Sequence, residues 1–93
     1  MATVELTPEA DAQFQALPRG IRPRVARLLD RLEQWPKVSG AKPLSGKPAG
    51  RWRMRTGDYR VQFYPERDDA ADGGWLVTVE KIGHRDGFYD GDD

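Results

Sequence analysis

The sequence contains no cysteine, so neither a disulfide framework nor a thiolate metal site is open to it. It has a single histidine, His84, which excludes a histidine-rich metal centre, and no spacing of its acids suggests a carboxylate-only one. No apolar run approaches the roughly 18 residues of a membrane-spanning helix. The first residues, Met1-Ala2-Thr3-Val4-Glu5, do not read as a secretory leader. The P-loop, the Gly-x-Ser-x-Gly nucleophile elbow and the glycine-rich dinucleotide fingerprint are missing too. These absences set the expectation of a cytoplasmic protein with no metal, no cofactor and no membrane contact.

Net charge is also absent, and here the total conceals the pattern. Residues 1–17 hold Glu5, Glu9 and Asp11 and no cation, a balance of −3. Residues 18–60 hold twelve Lys or Arg against Asp30, Glu33 and Asp58, a balance of +9. Residues 61–93 hold three cations against nine acids, −6, so the three blocks cancel. A middle this basic presents a local positive field to an anionic partner, unless the charges mix on the folded surface.

A chain of 93 residues makes one domain over 1–93, large enough for one or two helices on one sheet. Ala2 to Leu6 leans towards a strand. Thr7 as N-cap, Pro8 at the first helical position and Glu9 in the first turn then start a helix running to about Leu17. Leu17-Pro18-Arg19-Gly20 breaks it. Ile21, Val25, Leu28, Leu29, Leu32 and Trp35 form one helical stripe, predicting a second helix from Ile21 or Arg22 to Trp35 and an antiparallel αα-hairpin. Pro36 to Gly50 reads as an irregular linker.

Arg51-Trp52-Arg53-Met54-Arg55 alternates strictly, so its apolar and cationic side chains take opposite faces of a strand. Thr56-Gly57-Asp58 is turn chemistry. Tyr59 to Tyr64 is the returning strand, with Pro65 to Gly74 as a looser second turn. Trp75 to Ile82 is the most apolar strand and is expected at the sheet's centre. A short segment follows, ending in an acidic tail at 90–93 expected to fray. The predicted fold is α+β, a two-layer β-α-α-β-β-β with a short C-terminal segment. Its N-terminal strand and αα-hairpin pack on a mainly antiparallel sheet.

Pairing about Gly57-Asp58 brings Arg60 beside Arg53 or Arg55 on a common face, with Lys47 and Arg51 at its entry. Like charges this close repel, and a phosphate anion would compensate them, matched to the planar arginine fork. The competing arrangement is a surface network with Glu66, Asp68, Asp69 and Glu80. Trp52, Tyr59, Phe63 and Trp75 are expected under the helices. Tyr64 and Tyr89 are the candidates for stacking a base.

Taken together, Leu44-x-Gly46, Gly50-x-Trp52-Arg53-x-Arg55-x-Gly57-Asp58-Tyr59-Arg60-Val61 and Ile82-Gly83-His84-Arg85 with the later Tyr89 resemble the RelE/ParE toxin superfamily. The RelE-like branch is favoured, and the resemblance covers nearly the whole chain. It implies the toxin of a type II toxin–antitoxin system with a cognate antitoxin as partner. For the RelE-like branch it implies a metal-independent, ribosome-dependent endoribonuclease (an mRNA interferase causing growth arrest). There an RNA 2′-hydroxyl attacks the adjacent phosphate.

Carried over by position, Arg60 and Arg85 resemble the family's phosphate-stabilising arginines. Tyr89 resembles the C-terminal tyrosine that orients the nucleotide or moves a proton. Arg53 and Arg55 stand where the RelE branch often has lysines. Arginine stays protonated and makes a poor base, so the resemblance leaves His84 or Tyr89 to supply one, or positioning on the ribosome to do most of the work. The alternatives are a ParE-like toxin that binds DNA gyrase without cutting RNA, or a degenerate toxin that only binds its antitoxin.

Overall fold

A computed structural model describes residues 1–46 and 49–88, apart from the Phe88 side chain. The elements are β1 (Thr3–Leu6), α1 (Pro8–Gln15), α2 (Arg22–Leu32), β2 (Lys42–Pro43), β3 (Trp52–Thr56), β4 (Tyr59–Arg67), β5 (Trp75–His84) and α3 (Arg85–Phe88). Thr7 caps α1 as its position predicts, its Oγ1 accepting the Ala10 N–H at 3.1 Å. Regular α2 ends three residues before Trp35. The chain then tightens, with Glu33, Gln34 and Trp35 each donating to a carbonyl three residues back, so Trp35 stays on the helix's apolar side.

Five strands form one sheet in the order β1-β5-β4-β3-β2, with β1 parallel to β5 and the other pairs antiparallel. Helices α1 and α2 cover one face, giving the expected two-layer α+β architecture. Three details depart from the sequence reading. The linker contains a strand, β2, laid against β3. The central strand is β4, with β5 beside it. And β4 continues through Pro65 to Arg67 instead of turning at the proline. By then β3 has run out, its last pairing being Trp52 with Phe63, so the missing proline N–H falls on a free strand edge and costs no ladder bond.

Val25, Leu28 and Leu32 of α2 meet Met54, Val61, Phe63, Val77, Val79 and Ile82 from the sheet in one buried core. Full burial of a side chain the size of Phe63 contributes about 1.5–3 kcal/mol. Trp35 closes this layer, meeting Trp52, Phe63 and Trp75 edge-on with ring centroids 5.1, 5.4 and 6.2 Å away. Glu80 is an extra residue in β5: Gln62 pairs with Lys81, but Phe63 pairs with Val79. Beside this bulge Gln13 of α1 accepts the Ile82 N–H at 2.7 Å, locking helix to sheet. No helix among the described residues is long and apolar enough to cross a membrane.

Candidate functional site

Strand alternation sends Trp52, Met54, Tyr59, Val61 and Phe63 towards the helices and the residues between them to the open face. There the register sets Arg55 directly opposite Arg60, with Gly83 beyond it. One step along, Lys42 opposes Arg53, Arg53 opposes Gln62, and Gln62 opposes Lys81. At ordinary strand spacing this row crosses four strands in about 14 Å. Two cross-strand pairs on this face, Arg55 with Arg60 and Lys42 with Arg53, set cation against cation. Each such pair costs roughly 0.2–1 kcal/mol without an anion between them.

Arg60 is only 9% exposed. Its Nη1 donates to the Gly57 carbonyl at 3.0 Å and to the Tyr59 carbonyl at 3.4 Å, so the hairpin turn holds the guanidinium in place. Arg53 is half-buried and Arg55 exposed, and neither has an acidic partner within salt-bridge reach among the described residues.

Arg51 differs from its neighbours. Its Nε and Nη2 donate to the two Glu80 oxygens, each at 3.0 Å, and its Nη1 donates to the Ala49 carbonyl. Those bonds to Glu80 hold the guanidinium above the ordinary arginine range. The same guanidinium lies 4.4 Å from the centre of the Tyr64 ring. Gly50 packs so close to that ring that a Cβ there would fall 2.9 Å from Cε1. Arg51 thus follows the ion-pair alternative, and Tyr64 is engaged by Arg51 and Gly50 instead of being held open for a base.

His84 lies on the other side of the sheet. It pairs with Tyr59, and the two rings meet edge-on at 5.2 Å on the helix-covered face, away from Arg60. Its Nδ1 accepts the Asp86 N–H at 3.1 Å, and its Nε2 stands 3.9 Å from Asp58 Oδ2. Asp86 Oδ2 also stands 3.3 Å from Nδ1, so acids from both flanking segments face the ring. Arg85 begins α3. Its N–H donates to the Asp58 carbonyl at 2.7 Å, and its Nε is 3.6 Å from Asp58 Oδ1.

Lys47 and Tyr89 lie outside the described residues. Lys42, Gln62, Lys81 and Asp58 are the residues that the sequence reading missed. Glu80-Lys81, two polar residues in succession between Val79 and Ile82, was the visible sign that alternation breaks and Lys81 turns outward. Nothing local marks Lys42, which reaches the face only because β2 pairs with β3.

On the αα-hairpin a groove of about 370 Å³ is lined by Phe14, Arg19, Arg22, Pro23 and Ala26. Within it Arg22 gives its Nη2 to the Gln15 and Leu17 carbonyls, while its buried Nε has no partner among the described residues.

No family model matches the chain, and no curated protein matches it in sequence. Solved structures do. The chain is similar to the toxin–antitoxin complex RelBE2 from Mycobacterium tuberculosis, with 28% identity and a TM-score of 0.71 over 90% of this chain and 91% of that one. It is similar to the archaeal RelE–RelB complex from Pyrococcus horikoshii, with 22% identity and a TM-score of 0.65 over 90% and 94%. It is also similar to the isolated RelE toxin of E. coli, with 17% identity and a TM-score of 0.70 over 90% and 84%. At their identities the last two speak for the fold alone.

Proposed function

We propose that the chain, similar at 28% identity to the toxin–antitoxin complex RelBE2, is a RelE-like member of the RelE/ParE superfamily, the toxin of a toxin–antitoxin pair, and cuts messenger RNA on the ribosome. The observation that carries this reading is the cationic pairing of Arg55 with Arg60 and Lys42 with Arg53 on an otherwise open sheet face. Repulsion built into a small domain needs an anion to offset it, and a phosphate chain supplies one at each step.

The reaction is attack of a 2′-oxygen on the adjacent phosphorus, with loss of the 2′-hydroxyl proton and departure of the 5′-oxygen, which takes up a proton. Negative charge builds on the phosphorane, where Arg60 and Arg85 stabilise it. Lys42, Arg53 and Arg55 bind the strand. With His84 on the helix-covered side of the sheet, proton transfer falls to Tyr89, and positioning on the ribosome supplies much of the remaining rate. The site of action is the cytoplasm.

The partner is a cognate antitoxin whose extended or helical segment covers the helix pair or the open face. The groove between Phe14 and Ala26, lined by Arg19 and Arg22, favours a carboxylate-bearing segment.

One observation favours a second reading. Arginine makes a poor base and His84 lies on the helix side of the sheet, so bases near the cationic row are few. A ParE-like toxin that binds DNA gyrase needs none.

The deciding experiment incubates the purified chain with translating ribosomes and maps mRNA 5′ ends, with a supercoiling assay alongside. New ends that disappear in Arg85→Ala and weaken in Tyr89→Phe are expected. Intact mRNA with inhibited supercoiling selects the gyrase reading instead.

A further inference from the structure

We infer that Asp58 is a positioning residue that sets the Arg85 guanidinium for the reacting phosphate. Asp58 occupies the turn between β3 and β4, where an aspartate is ordinary. Its contacts are not those of a turn residue. The carbonyl accepts the Arg85 N–H at 2.7 Å, Oδ1 lies 3.6 Å from Arg85 Nε, and Oδ2 lies 3.9 Å from His84 Nε2. All three reach the junction of β5 and α3, 26 or 27 residues on in the sequence. The preceding carbonyl, of Gly57, accepts Arg60 Nη1. Consecutive carbonyls of one turn thus hold the two arginines assigned to the phosphate, one through its side chain and one through its backbone.

Arg85 needs such a partner. Its side chain is 59% exposed at the start of a four-residue helix. The other acid near it is Asp86, 3.8 Å away and its own neighbour in sequence. A free arginine samples many rotamers, and a catalytic cation works only when its geometry is set before reaction. Asp58 also carries a negative charge beside the phosphate site, which opposes RNA binding. Its two effects therefore have opposite signs: removing the charge loosens Arg85 and lowers the rate, yet leaves binding no weaker.

This role rests on the nuclease reading. The test measures single-turnover cleavage of mRNA on translating ribosomes, yielding the maximal rate and the half-saturating toxin concentration. Asp58→Asn is expected to lower the maximal rate about tenfold without raising the half-saturating concentration and with an unchanged melting temperature. Asp58→Glu restores most of the rate. In an Arg85→Ala background Asp58→Asn costs nothing further. Asp69→Asn, the same neutralisation on the far turn, leaves the rate at the parent value. An Asp58→Asn protein that cuts at the parent rate overturns the role, as does an equal loss in the Arg85→Ala background. A parent that cuts no RNA overturns the nuclease reading and this role with it, whereas a cutting parent with an indifferent Asp58 overturns only the role.

Discussion

Arg55 and Arg60 are direct cross-strand partners, one exposed and the other buried beneath the hairpin turn. The buried one is fixed by turn carbonyls, so the repulsion is relieved only by changing Arg55 or by adding an anion. Arg55→Thr, which keeps a strand-favouring residue, should therefore stabilise the free protein by about 0.2–1 kcal/mol. The same change should weaken RNA binding. Urea unfolding and RNA titration on one protein preparation test both halves, and a destabilised Arg55→Thr protein would remove the case for an anion site.

Arg53 and Arg51 lie two residues apart on one strand approach, yet only Arg53 is available to phosphate. Arg51 is held bidentately by Glu80 and covered by Tyr64. For single-stranded RNA each phosphate contact contributes about −0.7 to the slope of log affinity against log salt. Arg53→Ala and Lys42→Ala should each flatten that slope by about 0.7, while Arg51→Ala should leave it nearly unchanged. Glu80→Gln releases Arg51 and should steepen it. A uniform flattening by all three alanine variants would place Arg51 inside the footprint.

These distinctions mark where the sequence stops being informative. Alternation in Arg51 to Arg55 and in Tyr59 to Tyr64 placed the arginines on one face, because each strand carries its own period of two. It was silent on Lys42, whose place depends on a pairing between segments ten residues apart. The central position of β4 was hidden for the same reason, since strand order is a long-range property and β5 is the more apolar strand. Proline at 65 read as a break because its edge position was invisible. His84 and Arg85, adjacent in sequence, seemed part of one site with Arg60. Pairing with Tyr59 puts the histidine on the helix side, and only the turn at Asp58 links it back to the arginines.

Phe63 is fully buried at the centre of β4 and meets Trp35 edge-on. Phe63→Ala removes both the buried area and that contact, and should destabilise by about 3–5 kcal/mol. That is a large share of the roughly 5–15 kcal/mol that holds a domain together. The urea midpoint should fall accordingly. The variant should bind its antitoxin only where the partner's own binding energy restores the fold, so its melting temperature should depend on antitoxin concentration more steeply than the parent's.

Gly57 has φ +58, and a Cβ built on it would lie 2.7 Å from Arg24 Nη2. Two causes thus oppose a side chain at this turn, and they make different predictions. Backbone strain in the left-handed region costs about 1–2 kcal/mol for alanine and less for asparagine, which tolerates that conformation. The contact with Arg24 involves the free end of a flexible side chain, which swings aside at little cost. Backbone strain should therefore dominate. Gly57→Ala should lose about 1–2 kcal/mol, Gly57→Asn less, and Arg24→Ala should rescue neither. A double-mutant cycle between positions 24 and 57 should show coupling under about 0.5 kcal/mol. Strong coupling would instead mean that Arg24 is clamped onto the turn, making α2 a third element that holds the carbonyls on which Arg60 and Arg85 depend.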